Sequence, residues 1–351
     1  MFSPNTTAFG LDISDFAIRL VNLRKTRSSV SIESFNELKV PAGYIVDGEI
    51  KDEENVTKLL NKLLLTAQGK KLLKTEVVSV LPETKTFIKI ITVKKTEKKE
   101  LPKAIKLELK KHIPINIEEI YLDWQVISEN EKTMNVLAGI APKVIVDSYL
   151  NILRKVNLIP LVLEIEAAAI SRALIAGDDK AKIIIDIGAA RTGLIVYVHN
   201  TIVLTVSLPI SGEKVTQEIS QTLNIDYQKA EKAKYVCGLD KTRCKGALRK
   251  ILFNSMDNLV FEIDKAVEFY TTHFPQSEKI SQIYLCGGGA YLKKIDKYLS
   301  HRIKMEVITG DPLRTIKKDK LKEIKFPVNR SLSYTTAIGL ALRGVDKNNL
   351  L

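Results

Sequence analysis

Ile183-Ile184-Ile185-Asp186-Ile187-Gly188-Ala189-Ala190-Arg191-Thr192-Gly193-Leu194-Ile195-Val196 is an apolar strand that ends in an acid, turns on small and polar residues, and continues as a second strand. About half a chain earlier the same device occurs. Ala8-Phe9-Gly10-Leu11-Asp12-Ile13-Ser14 turns and runs on as Phe16-Ala17-Ile18-Arg19-Leu20-Val21. An aspartate at the end of a buried strand is costly unless something binds it. Two such acids, each followed by a turn with unused backbone N–H groups, make a clamp suited to a metal-chelated polyphosphate. A third element, Ile283-Tyr284-Leu285-Cys286-Gly287-Gly288-Gly289-Ala290, is a strand that enters a triple-glycine turn ahead of a helix. There the backbone can approach a ligand closely.

Working outward, the first 40 residues read as three strands, 7–13, 16–25 and 28–40. An amphipathic helix follows over 55–67, then a short buried strand, 77–81, closed by Pro82. From about residue 84 the pattern becomes β-α-β-β-α up to 157: a strand at 87–93, a lysine-rich helix at 99–112 stopped by Pro114, strands at 120–127 and 134–140, and a helix at 143–156. That block is expected to be an inserted subdomain. Strand 161–166 leads to helix 167–175, closed by Gly177-Asp178-Asp179, and the second acid-turn copy then opens the second half. Its strand 202–208 is followed by helices at 213–223, 227–236 and 240–273, and a small-residue helix, 335–342, comes near the end. Both halves repeat a β-β-β-α plan.

Composition sets the bounds. The chain has 351 residues, 45% hydrophobic and 27% charged, which suits a globular protein of two or three domains. No apolar run approaches the roughly 18 residues that span a bilayer, and no signal peptide is evident. Cys237, Cys244 and Cys286 have no metal-like spacing and read as free thiols of a reducing cytoplasm. The net charge of +13 is mostly lysine, concentrated at 94–111 and 317–325. It reads as solvated surface or as attraction to an anionic membrane or acidic partner. No aromatics interleave with the lysines, so nucleic acid is not an expected partner.

These residues resemble the actin/sugar-kinase/heat-shock ATPase superfamily, and within it the FtsA-like branch. Gly10-Leu11-Asp12-Ile13-Ser14 is similar to its first phosphate loop and Asp186 to Thr192 to its second. Glu164-Ile165-Glu166-Ala167-Ala168-Ala169 resembles the first connecting helix, Gly287-Gly288-Gly289-Ala290 the adenosine loop, and Ala337-Ile338-Gly339-Leu340-Ala341 the second connecting helix. The resemblance implies an α/β actin-like fold, two duplicated β-β-β-α-type domains flanking a nucleotide cleft, with an SHS2-like insert. The implied subdomains are 1A (1–83 with 158–180), 1C (84–157), 2A (181–211 with 280–351) and 2B (212–279).

It further implies ATP or ADP with Mg²⁺ as cofactors. Asp12 and Asp186 would hold Mg²⁺ through water. Ser14, Gly188, Ala189, Ala190 and Thr192 would meet phosphate oxygens, with Gly212 and Glu213 following the second loop. Glu231 and Lys234 would reach the ribose, and Gly287, Gly288, Gly289 and Ala290 would pass beside the base. Glu164 would orient a water near the γ-phosphate, or Glu166 would be the one that faces in. Each feature has a plainer reading alone: a tight turn for the glycines, a turn cap for Asp186, a surface pair for Glu231 and Lys234. Their order and spacing together favour nucleotide. The second loop is poor in glycine and no residue clearly positions an attacking water, so turnover is expected to be slow if it occurs at all.

Within the branch, Ile113-Pro114-Ile115 with Tyr121-Leu122-Asp123-Trp124-Gln125-Val126, and Pro209 to Thr216 with Ala230-Glu231-Lys232-Ala233-Lys234, resemble the PilM family of the type IV pilus inner-membrane platform. Residues 343–351 are too short and polar to anchor in a membrane. The resemblance implies a cytoplasmic protein that reaches the membrane through the short N-terminal tail of a PilN-like bitopic partner. Other platform proteins and further copies of the chain are additional implied partners. The alternatives are an FtsA-like division protein without its anchor and, in another class, a sugar-type kinase. The kinase needs a general base outside the nucleotide motifs, and no aspartate makes a clear case.

Overall fold

The computed structural model describes residues 7–27, 29–113, 116–175, 177, 180–274 and 278–346. Pro114, Ile115, Asp178 and Asp179, which figured in the sequence reading, lie outside the described residues.

Strands β1 (Phe9–Ile13), β2 (Ala17–Lys25) and β3 (Val30–Lys39) form an antiparallel meander. A small ladder of β4 (Ile45–Val46) and β5 (Glu49–Ile50) precedes helix α1 (Glu53–Leu65). Asp52 caps that helix by accepting the Asn55 N–H at 3.0 Å. Val56, Leu60 and Leu63 turn its apolar stripe inward. β6 (Gln68–Gly69) pairs with β3, and β7 (Glu76–Leu81) returns parallel to β1. The chain then leaves the sheet for β8 (Phe87–Lys94), α2 (Leu101–Leu109), β9 (Ile120–Glu129), β10 (Thr133–Pro142) and α3 (Lys143–Lys155). It comes back as β11 (Ile159–Ile165), parallel to β7, and α4 (Glu166–Leu174).

The second half begins with β12 (Lys182–Ile187), β13 (Thr192–Val198) and β14 (Thr201–Leu208). Helices α5 (Gly212–Leu223), α6 (Tyr227–Cys237) and α7 (Ala247–His273) follow, then β15 (Gln282–Cys286), α8 (Ile295–Ile303), β16 (Val307–Thr309), α9 (Lys318–Glu323) and α10 (Thr335–Val345). Five strands of the first sheet run β11-β7-β1-β2-β3, and the second sheet runs β15 between β16 and β12, then β13 and β14. The ladders match in sense as well. β1 is antiparallel to β2 and parallel to β7, as β12 is antiparallel to β13 and parallel to β15. The duplication seen in the sequence is therefore one strand order used twice.

The insert has its own core. Ile91, Ile105, Leu109, Ile120, Val136 and Ile140 pack among themselves over the sheet β8-β10-β9. α3 does not join them. Its Ile145, Tyr149, Ile152 and Leu153 pack with Phe9, Leu11, Leu60 and Val77 in the core of the first half.

The halves meet along α4 and α10, where small residues permit backbone-to-backbone approach. A Cβ on Gly339 would lie 1.9 Å from the Ala169 carbonyl oxygen, and one on Gly10 would lie 2.3 Å from that of Ala337. The expected helix over 240–273 begins later. Lys245 and Gly246 take positive φ, 52° and 71°, and break the chain before Ala247. Cys237 and Cys244 are not free thiols. They form a disulfide pair with Cα atoms 5.8 Å apart, because α6 ends at Gly238, which takes φ +50°, and the turns from Asp240 to Arg243 fold the chain back on its end. Cys286 is free and buried.

Candidate nucleotide-type cleft between the two halves

The β1–β2 register sets Asp12 opposite Arg19. Arg19 donates to Asp12 Oδ2 at 3.3 Å and to Glu37 Oε1 at 3.1 Å. Arg330, from the second half, reaches the same Glu37 carboxylate at 3.0 Å. Asp12 is 3% exposed, and its Oδ1 has no hydrogen-bond partner among the described residues. Burial pushes its carboxyl up to about 6, against the pull of Arg19. Ser14 closes the turn. Its N–H and hydroxyl both donate to the Ala17 carbonyl, at 3.1 and 2.9 Å.

Asp186 pairs in register with Cys286, whose thiol donates to Asp186 Oδ1 at 3.5 Å. Burial raises the Asp186 carboxyl above its ordinary value. Gly287 must be glycine here. It has φ +77°, and a Cβ would stand 2.3 Å from Asp186 Oδ1. Gly289 is held small by the Ile187 side chain, 2.1 Å from where its Cβ would be, whereas Gly288 has open space. The second turn is closed by Gly188 N–H donating to Arg191 O at 2.9 Å. Ala189 and Ala190 are exposed, and their N–H groups meet no acceptor among the described residues. Thr192 is buried beneath the turn and donates to Ile210 O at 2.8 Å. Gly212 and Glu213 spend their N–H groups on the turn, donating to Gly188 O and Ala189 O at 3.0 and 3.1 Å. The start of α5 thus braces the loop rather than offering free donors.

Sequence reasoning missed one residue that the structure brings to the centre. Glu83 follows β7 directly after Pro82, is 9% exposed through its side chain, and leaves Oε1 without a partner. Its signal was present: an acid just past a buried strand, as at Asp12 and Asp186. Burial pushes it up to about 7, opposed by Arg191. Glu166, at the start of α4, is pushed well above the usual carboxylate range by burial and by Asp186, Glu83 and Asp12. Arg191 lies 3.6 Å from Glu83 and 4.0 Å from Glu166, and donates to Ser207 at 3.0 Å. The positive groups that act on these four carboxylates, drawn from both halves, are Arg19 and Arg191.

Glu164 is placed elsewhere. One residue before the turn of the strand into α4, it points away from this cluster and is 4% exposed. Arg172 grips both its oxygens at 2.7 and 2.8 Å, and Arg343 adds a third contact at 2.6 Å. Of the two candidate acids at this connection, it is Glu166 that faces the other carboxylates.

No group of three or more His, Cys, Asp or Glu among the described residues is arranged to hold a metal ion directly. The donor set suits a hydrated divalent cation instead: an excess of carboxylate over positive charge and two orphaned oxygens, Asp12 Oδ1 and Glu83 Oε1. The far side of the cleft carries a recess lined by Ile187, Gly212, Val215, Lys234, Tyr235 and Gly289. Lys234 is 4% exposed and donates to Glu231 and Thr216 at 2.7 Å each and to Gly212 O at 3.0 Å. Burial opposes ionisation of Glu231, but the bonds from Lys234 and Thr216 outweigh it and hold its carboxyl low. Ala290, next to Gly289, is buried, and its N–H donates to Gly287 O at 3.3 Å.

Solved structures share this architecture. The chain superposes on one titled "PilM-PilN type IV pilus biogenesis complex" with a TM-score of 0.83, at 23% identity, covering 98% of this chain and 100% of that one. It is similar to MreB5 of Spiroplasma citri bound to ADP, with a TM-score of 0.56 at 14% identity, covering 97% and 96%. It is likewise similar to the ethanolamine utilization protein EutJ from Carboxydothermus hydrogenoformans, with a TM-score of 0.57 at 15% identity, covering 97% and 90%. The fold is thus actin-like. The family model for the type IV pilus assembly protein PilM matches residues 10–345, nearly the whole chain, and the chain belongs to that family.

Proposed function

We propose that this pilus assembly protein binds Mg·ATP or Mg·ADP in the cleft and uses that state to hold a membrane partner. The observation that carries the reading is the carboxylate cluster. Asp12, which is buried, and Glu83, Glu166 and Asp186, which are half-buried, come from both halves, act on one another and are short of positive charge. Asp12 and Asp186 would hold Mg²⁺ through water, and the bound ion would neutralise the phosphates. Ala189 and Ala190 would donate their N–H groups to phosphate oxygens. Ser14, Gly188 and Thr192 shape the turns that carry these donors. Gly212 and Glu213 brace the second turn. Glu231 and Lys234 would face the ribose, and the recess beside Gly289 and Ala290 would take the base. Glu166, rather than Glu164, would be the acid near the terminal phosphate.

The chain reads as an assembly protein more than an enzyme. A partner site is supported on the insert, which we take as subdomain 1C inserted within 1A, with 2A and 2B making up the second half. β9 is an edge strand of its sheet, and a groove beside it is lined by Pro102, Lys106, Ile117, Tyr121, Leu122 and Trp124. An extended apolar tail would add to that edge and fill the groove. That tail would be the cytoplasmic N-terminus of a PilN-like bitopic protein. The chain would then be a cytoplasmic protein held at the inner membrane indirectly. No described helix is long and apolar enough to cross a membrane. Calorimetric titration with ATP and ADP, with and without Mg²⁺, tests the nucleotide reading. Binding that requires Mg²⁺ supports it, and no heat with either nucleotide overturns it.

A further inference from the structure

Arg191 is the charged side chain of the second turn, and it is already spoken for. It comes from the second half, but the carboxylates beside it, Glu83 at 3.6 Å and Glu166 at 4.0 Å, come from the first. Glu83 reaches far enough across that its Oε2 would lie 2.9 Å from a Cβ on Gly193, in β13 of the second half. Its Oε1 is buried without a partner. A carboxylate that crosses the cleft and leaves an oxygen unsatisfied is costly to keep. The contact at 3.6 Å is also looser than a well-made charge-assisted bond. Arg191 is therefore held but not locked.

We propose that Arg191 distinguishes a nucleoside triphosphate from a diphosphate in this cleft, and that Glu83 is a positioning residue that holds it back from the opposite half. This rests on the nucleotide reading above. Asp12 and Asp186 would hold a hydrated Mg²⁺, which would supply charge neutralisation to the phosphates of a triphosphate. A terminal phosphate held there would come within reach of Arg191, which stands 3.6 Å from Glu83 and 4.0 Å from Glu166 of the same carboxylate cluster. A terminal phosphate can take Arg191 from the carboxylates by offering shorter, charge-assisted bonds. A diphosphate ends one phosphate short and leaves the Arg191–Glu83 contact in place. The two halves are then joined by different links in the two nucleotide states.

The test is a titration of the full chain with Mg²⁺ and either a slowly hydrolysed ATP analogue or ADP. It compares the natural sequence with Arg191→Gln, Glu83→Gln and the double variant. Arg191→Gln is expected to weaken the triphosphate about tenfold and to leave the diphosphate within about twofold. Glu83→Gln removes a competitor, so the triphosphate tightens several-fold and the diphosphate does not. The double variant should match Arg191→Gln, because Glu83 acts only through Arg191. Arg191→Lys keeps the charge and should recover part of the preference. A merely structural role would weaken both nucleotides alike, or make the two effects additive, and either result overturns the proposal. If both nucleotides bind and every variant keeps the natural ratio, this inference fails while the nucleotide reading stands. If neither binds the natural chain, both fall together.

Discussion

Glu164 and Arg343 are joined at 2.6 Å, tying the strand before α4 to the last turn of α10. Arg172 completes the group from α4 itself and also donates to Gly339 O at 2.9 Å. A carboxylate with 4% side-chain exposure and two arginines is a joint between the connecting helices. Glu164→Gln leaves two guanidinium groups facing one neutral amide. We expect it to destabilise the protein by roughly 3–5 kcal/mol in urea unfolding. Nucleotide affinity of the folded protein should stay close to that of the natural chain. A Glu164 variant of full stability that loses turnover would return this residue to the water-positioning role.

Asp12 and Asp186 occupy equivalent places in the two ladders. Replacing either by alanine should weaken Mg·nucleotide binding by about 1.5–3 kcal/mol, the worth of a charge-assisted contact. Glu166→Gln should act in the same direction. The measurement is calorimetry over a range of Mg²⁺ concentrations. Unchanged affinity in both aspartate variants would remove the ion from this site.

The Glu83 carboxyl stands at about 7 in the folded protein, against an ordinary 4.5. The folded state keeps that proton after the unfolded chain has lost it. Its contribution to stability is therefore fully present below about 4.5 and is lost as pH rises through about 7. Relative to Glu83→Gln, the natural chain without ligand should lose on the order of 1–3 kcal/mol between about pH 5 and pH 8. Arg191, Asp186 and Glu166 face this group, so the comparison is made with their side chains intact. Parallel stability curves for the two proteins would show that Glu83 does not titrate in this window.

Gly339 carries no Cβ because Ala169 occupies the place one would take. Gly339→Ala should cost about 3 kcal/mol or more by overpacking the α4–α10 contact. Ala on Gly288, where only Ser333 Oγ comes within 4 Å, should cost far less. Thermal unfolding of the pair checks this. Equal melting points would mean that the helices separate easily and that the joint is soft.

Much of this was legible in the chain because strand-acid-turn-strand is a local pattern. Asp12, Asp186 and the glycines at 287 and 289 all sit where their residue types demanded. Glu83 showed the same signal in weaker form, masked by Pro82. The choice between Glu164 and Glu166 was not legible, since acids two residues apart share a face in a continuous strand, and only the start of α4 at Glu166 gives them different partners. Nor was the placement of α3, whose amphipathic pattern says that it packs but not on which core. The Cys237–Cys244 pair depended on the turns between Gly238 and Arg243, which spacing alone does not reveal.

A nucleotide-binding cleft and a tail-binding insert are expected to work together in this assembly protein. α3 lies in the core of the first half, so the insert is tested by substitution rather than removal. The measurement is calorimetric titration of a synthetic N-terminal tail of the membrane partner into the full chain with Mg·ATP present, repeated with Tyr121→Glu and Trp124→Glu. The tail is expected to bind the natural chain, and each substitution to weaken it at least about tenfold while Mg·ATP still binds. A tail that binds both variants as tightly as the natural chain would contradict this.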